Sequence, residues 1–280
     1  MHFSQASWLL AASMGAIVNA VSVVEVDLVF PRNETYSPTQ AYPFVFAVQN
    51  SEKAQLLNLR VSYRMNNWDN SSDTFHPITP YVYLERANLS SSDPYLSYRF
   101  FSGLNPGHWW LTWEVEYQSC NVDAERSSDG LIHNSYSWSR MFTIANSTST
   151  PDREVDLVAA TANDSCPGDM NAVAINVTDT TMQTIKSINW TGRDTCVVTT
   201  NSTSGNPVHT PNPCGVSISP EVAASISANF TAQKCSEPNP PNYVDCSAAD
   251  KSAAQKLIIL AVSGLLAMFG AFAFTIVQSW

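Results

Sequence analysis

Between residues 23 and 145 the chain alternates apolar and polar side chains with a period of two, which predicts strands buried on one face. Val24, Val26, Leu28 and Phe30 fall on one side, with Glu25 and Asp27 on the other. Tyr42–Gln49 is a denser apolar strand. Leu57, Leu59, Val61, Tyr63 and Met65 alternate with Asn58, Arg60, Ser62 and Arg64, and Leu96, Tyr98 and Phe100 with Ser97 and Arg99. Trp109, Leu111, Trp113, Val115 and Tyr117 alternate with Trp110, Thr112, Glu114 and Glu116, and Tyr136, Trp138, Phe142 and Ile144 close the series. Turn-rich segments such as Asn105-Pro106-Gly107 separate them. About seven strands in this span is the pattern of an immunoglobulin/fibronectin-III-like β-sandwich. Cys120 is the single cysteine of the span, so the Cys…Trp…Cys arrangement of antibody domains is absent. The expectation is therefore of the architecture rather than the superfamily. Its third and sixth strands are neighbours, which would set Arg60 and Arg64 against Glu114 and Glu116.

The pattern changes at residues 146–151 (NSTSTP), a Ser/Thr linker. Residues 152–235 hold few aromatics and many Thr, Asn and Ser. Val155–Ala160, Val173–Val177 and Cys196–Thr200 read as strands. Ser219-Pro220-Glu221 opens a helix, with Ser at the cap and Pro in the first turn. Val222, Ile226 and Phe230 would form its apolar stripe, a strand being the competing reading. The fold expected is mainly β: the sandwich at 21–145, then a smaller disulfide-stapled, β-rich (α+β) domain. Residues 236–247 (SEPNPPNYVDCS) read as a Pro-rich stalk.

Both ends read as addresses. Residues 1–20 carry a short apolar run and small residues before Ala20, as in a secretory signal peptide. Leu257–Val277 is a second uncharged apolar run, with Lys251 and Lys256 before it and no basic residue after it. A stop-transfer helix would be expected to carry its basic residues on the other side. Ser247-Ala248-Ala249, a polar spacer and a terminal apolar tail fit a glycosylphosphatidylinositol (GPI) signal, with Ser247 as the attachment residue and 248–280 removed. A single-pass membrane protein is the alternative. The destination expected is the outer face of the plasma membrane or the cell wall, with the lipid anchor as the membrane contact.

Charge then narrows the partners. The net charge of −10 becomes −11 when Lys251, Lys256 and Asp250 leave with the tail, which argues against nucleic acid. Six cysteines behind a signal peptide (Cys120, Cys166, Cys196, Cys214, Cys235, Cys246) read as three disulfides. Fifteen pairings are possible; the simplest joins Cys235 to Cys246 and Cys196 to Cys214, leaving Cys120 with Cys166. Their spacing fits no metal site, and no cofactor is implied. N-x-S/T sequons occur at Asn33, Asn70, Asn88, Asn146, Asn163, Asn176, Asn189, Asn201 and Asn229, and each occupied one must be exposed.

Motif searches find no G-x-S-x-G, H-E-x-x-H, P-loop or G-x-G-x-x-G, so no catalytic residue is assigned. Glu114 and Glu116 share a strand face at about 7 Å, a spacing that a glycosidase can use, but a solvated face paired with Arg60 and Arg64 is the favoured reading. Glu25 and Asp27 have the same spacing and the same explanation. Trp110 falls on the polar face of its strand, and Trp68 lies in the polar loop NNWDN. Exposed flat aromatics of this kind can stack on sugar rings. The favoured reading is the plainer one, that Trp110 packs under a loop or against the second domain.

VEVDLVFPRNETYSP…AYPFVFAVQN, GHWWLTWEVEY and CGVSISPEVAASISANFTAQKC resemble segments of a family of ascomycete secreted proteins with a domain of unknown function, over about residues 23–235. The resemblance implies a filamentous fungal cell-surface glycoprotein and brings no catalytic residue. The function expected is a GPI-anchored surface or wall glycoprotein with a structural or interaction role. Its partners would be wall polysaccharide or other surface proteins. The alternatives are a carbohydrate-binding module using Trp110 and Trp68, and a glycan-acting enzyme; enzyme activity is left open, with a non-catalytic role favoured.

Overall fold

A computed structural model describes residues 22–69, 82–123, 130–145, 155–162, 172–200 and 211–247. The expected signal peptide and the tail at 248–280 lie outside them. Among the described residues the strands are β1 (Ser22–Phe30), β2 (Thr35–Tyr36), β3 (Ala41–Gln49), β4 (Arg60–Asn67), β5 (Val82–Tyr83), β6 (Tyr95–Ser102), β7 (Gly107–Cys120), β8 (Leu131–Ile144), β9 (Ala172–Gln183) and β10 (Thr195–Thr199). The α-helices described are α1 (Ser51–Ala54), α2 (Leu157–Ala160) and α3 (Pro220–Cys235).

The strands form two five-stranded sheets, ordered β10-β9-β1-β3-β6 and β2-β8-β7-β4-β5. Alternation explains why their inner faces meet. Phe44 and Phe46 of β3 reach Tyr63 and Trp113 of the second sheet, with ring centroids 5.9 and 5.7 Å apart. Trp109, Leu111, Trp113, Val115 and Tyr117 are all buried, as their period predicts. The register expected from the charges holds in part. Arg60 stands opposite Glu116, while Arg64 faces Thr112 one step from Glu114. Arg60 makes its ion pair with Glu85 instead (3.0 Å).

The region expected as a second domain shares the core of the first. β9 pairs with β1 (Val24 opposite Ile175, Val26 opposite Val173) and β10 pairs with β9. Val173, Ile175, Val177 and Val197 belong to the same buried cluster as Phe44 and Trp113. The described residues before and after 146–151 thus share one core. Val155–Ala160, read as a strand, contains helix α2, because the Asp156 side chain caps Val158 and Ala159 and starts a helical turn.

Helix α3 forms as its sequence predicts, with Ser219 Oγ accepting from the Val222 N–H (3.3 Å). Its packed side is Ala223, Ile226 and Phe230; Val222 points outward. Leu96, Tyr98 and Phe100 turn away from the inter-sheet core, and Phe100 meets Phe230 of α3 at 4.2 Å.

Two disulfides are described, and one corrects the expected pairing. Cys196 bonds Cys120 rather than Cys214, joining the end of β7 to β10 of the other sheet. Topology decides this: once β10 lies beside the end of β7, Cys120 is the near partner. Cys235–Cys246 forms as expected. It also changes the reading of the stalk, since 236–247 is held against the body: Tyr243 Oη lies 2.9 Å from Ser102 Oγ.

Candidate functional site

The outer face of the second sheet brings the two flagged tryptophans together. β4 ends at Asn66-Asn67, so alternation turns Asn67 inward and Trp68 outward. The Trp68 N–H donates to the His108 carbonyl (2.7 Å), which pins the end of β4 to the start of β7. Asp69 Oδ2 accepts from the His108 N–H (2.8 Å) and lies 2.8 Å from His108 Nδ1. These hydrogen bonds hold the Asp69 carboxyl below its usual range. Gly107 is required beneath this clamp: its φ is +134°, and a Cβ there would meet Asn67 Oδ1 and Asp69 Oδ2 at 3.0 Å.

Trp68 is 72% exposed, and its ring lies 6.1 Å from that of Trp110 at an interplanar angle of 35°. The two indoles therefore form a shallow angled platform rather than one plane. Trp110 is half-buried, flanked in register by Asn66 of β4 and by the exposed Met141 of β8. Met141 and the Asp69–His108 clamp were not singled out from sequence, because both depend on which strands are neighbours. Trp109 and Trp113 are core residues and Trp138 is half-buried.

Toward the other end of the same face the Arg60 guanidinium lies 3.7 Å above the Trp190 ring, and His133 is 5.3 Å from that ring. Glu114 hydrogen-bonds Ser135. Partial burial, then the neighbouring Glu114 charge, raises the Glu116 carboxyl above its ordinary value. The other carboxylate pair departs from expectation. Glu25 and Asp27 are buried, not solvated, because 211–218 and α2 cover the outer face of β1. Gln49 Nε2 donates to Asp27 Oδ2 (2.9 Å) and the Asn212 N–H to Glu25 Oε2 (2.8 Å). Burial, then Glu25, holds Asp27 well above the usual carboxylate range.

Among the sequons, Asn33, Asn88 and Asn229 are exposed. Asn176 and Asn189 are buried, and Asn189 is bonded to Asn58 (3.1 Å) and the Thr195 carbonyl (3.2 Å). A glycan on either would need space that the packed fold lacks. Asn70, Asn146, Asn163 and Asn201 lie outside the described residues, as does Cys166. No cluster of three or more metal-ligating side chains occurs among the described residues.

A cleft of about 720 Å³ opens on the opposite side of the molecule, lined by Pro43, Phe100, Ala223, Phe230 and Tyr243. It belongs to the packing of α3 and residues 236–247 on the first sheet. Residues 19–246 match a family described as Domain of unknown function (DUF7136). No curated protein matches the chain, and no solved structure does.

Proposed function

The chain belongs to the DUF7136 family, whose function is unknown, and from that premise we propose that it is a GPI-anchored cell-surface glycoprotein that binds wall polysaccharide through Trp68 and Trp110. The observation that carries this reading is the exposed Trp68 indole set against the half-buried Trp110 indole, on a backbone pinned by the hydrogen bonds of Trp68 and Asp69 with His108. A preorganised aromatic surface loses little conformational entropy on binding, and its apolar faces suit the C–H faces of sugar rings. We read the two packed sheets as a β-sandwich of the immunoglobulin or fibronectin III kind.

The placement of residues 236–247 supports the same reading. Segment 236–247, which ends at Ser247, lies on the outer face of the first sheet, and the indoles lie on the outer face of the second. An anchor at Ser247 would leave the aromatic face free. The family match at 19–246 also begins and ends close to the two expected processing points.

The test is retention of the mature ectodomain, residues 21–247, on insoluble β-glucan and chitin. Trp110→Ala and Trp68→Ala should abolish retention while leaving thermal unfolding nearly unchanged. Equal retention of wild type and Trp110→Ala would overturn the proposal. Release of the native protein from membranes by phosphatidylinositol-specific phospholipase tests the anchor separately.

A further inference from the structure

The open face of the second sheet continues well beyond the indole pair. Its register sets out successive rows: Asn66, Trp110 and Met141; Arg64, Thr112 and Ser139; Ser62, Glu114 and Ser137; Arg60, Glu116 and Ser135. From the first row to the last is six residues along β7, or about 20 Å at about 3.4 Å per residue. The β8 side of this strip is a line of serines, so no large side chain rises along it. Trp190, with Arg60 against its ring, closes the far end.

We infer that this strip is an extended track for the interior of an uncharged polysaccharide chain, with Trp68 and Trp110 as one terminal stacking station. The inference rests on the carbohydrate-binding reading and deepens it, from a sugar-binding patch to a surface that requires a polymer. Three features carry it. The aromatic surface lies at one end of the strip, so a single ring bound there leaves the remaining length unused. The floor is small and hydroxyl-rich, with Thr112, Ser137 and Ser139 offering donors and acceptors to sugar hydroxyls. The strip carries charges of both signs, Arg64 and Arg60 with Glu114 and Glu116, and Arg60 is already paired with Glu85 at its edge, which suits a neutral chain better than a strongly anionic or cationic one.

The experiment uses β-1,3-glucan and chitin oligosaccharides of increasing length, titrated calorimetrically into the mature protein. For wild type, affinity should rise with each added ring until the track is filled and then level off. Ser137 is exposed at mid-strip, so Ser137→Arg should obstruct the track without disturbing the core. It should lower the affinity of the longest ligand roughly tenfold, equivalent to about 1.4 kcal/mol, and leave the shortest ligand unaffected. Trp110→Ala should weaken every length. Affinity independent of length, or a Ser137→Arg variant that binds long ligands normally, would overturn the track while leaving the indole platform in place. No binding of either series by wild type would remove the platform and the track together.

Discussion

The two outer faces of this molecule are built from the same alternating pattern and have opposite fates. That of the first sheet is covered: α2, residues 211–218 and α3 lie over β1, β3 and β6, and Leu157, Val216, Ile218 and Ile226 join the main buried cluster. That of the second sheet carries exposed Trp68 and Met141, serines and charged side chains. The difference teaches that period-two alternation separates two faces without saying which is solvated. Glu25 and Asp27 look like Glu114 and Glu116 in sequence, yet the first pair is buried under chain that arrives almost two hundred residues later.

The strongest way to break the comparison is to detach what links the two sheets. Cys120–Cys196 joins one sheet to the other across 76 residues. The double variant Cys120→Ser/Cys196→Ser should lose about 4.5 kcal/mol, the chain-entropy value for a loop of this size, measured by denaturant unfolding. Non-reducing peptide mapping should recover Cys120 with Cys196 and Cys235 with Cys246, and by elimination Cys166 with Cys214. Recovery of Cys196 joined to Cys214 would overturn the topology at that point.

Next in size is truncation of an apolar side chain on each face. Ile226 is 3% exposed on the packed side of α3, whereas Met141 is 39% exposed beside Trp110. Ile226→Ala should cost about 2–4 kcal/mol through lost burial and the cavity left behind. Met141→Ala should stay within about 0.5 kcal/mol while weakening polysaccharide retention. Similar losses of stability for the two variants would mean that the second face is covered as well.

These contrasts mark what could be read from the chain. β7 and β4 were legible because one face of each is continuously apolar, and α3 because Ser219-Pro220 is a local start signal. The union of β9 with β1 was not legible, since Val24 opposite Ile175 is a pairing between remote segments with no local signature. For α2 a signal was present: Asp156 precedes Leu157 at a cap position, but the apolar run after it also fits a strand. At the site, Trp68 and Trp110 stood out as aromatics in polar surroundings. Their proximity required the β4–β7 register, and Met141 required that of β8.

The finest test sets the two carboxylate pairs against each other by pH. Burial raises Asp27 in the folded state, so its protonated form is favoured there. Stability linked to it is fully present below the unfolded pKa, about 3.9, and is lost as pH rises through the higher folded value. Glu25 and Arg32 are the charged groups acting on it, and Gln49 donates to it. The wild-type unfolding temperature should therefore fall, relative to Asp27→Asn, as pH climbs from about 4 toward neutrality. Asp27→Asn should be the more stable protein at the upper end, because its amide needs no proton to remain buried. Glu116 is also raised, but it is only partly buried: one carboxylate oxygen is covered, while the rest of the side chain meets solvent on the open face, which screens its charge. Glu116→Gln should accordingly leave the pH profile close to that of wild type. If the Glu116 variant flattened the profile and the Asp27 variant did not, the covering of the first sheet by 211–218 would be wrong, since that segment is what keeps water from Asp27.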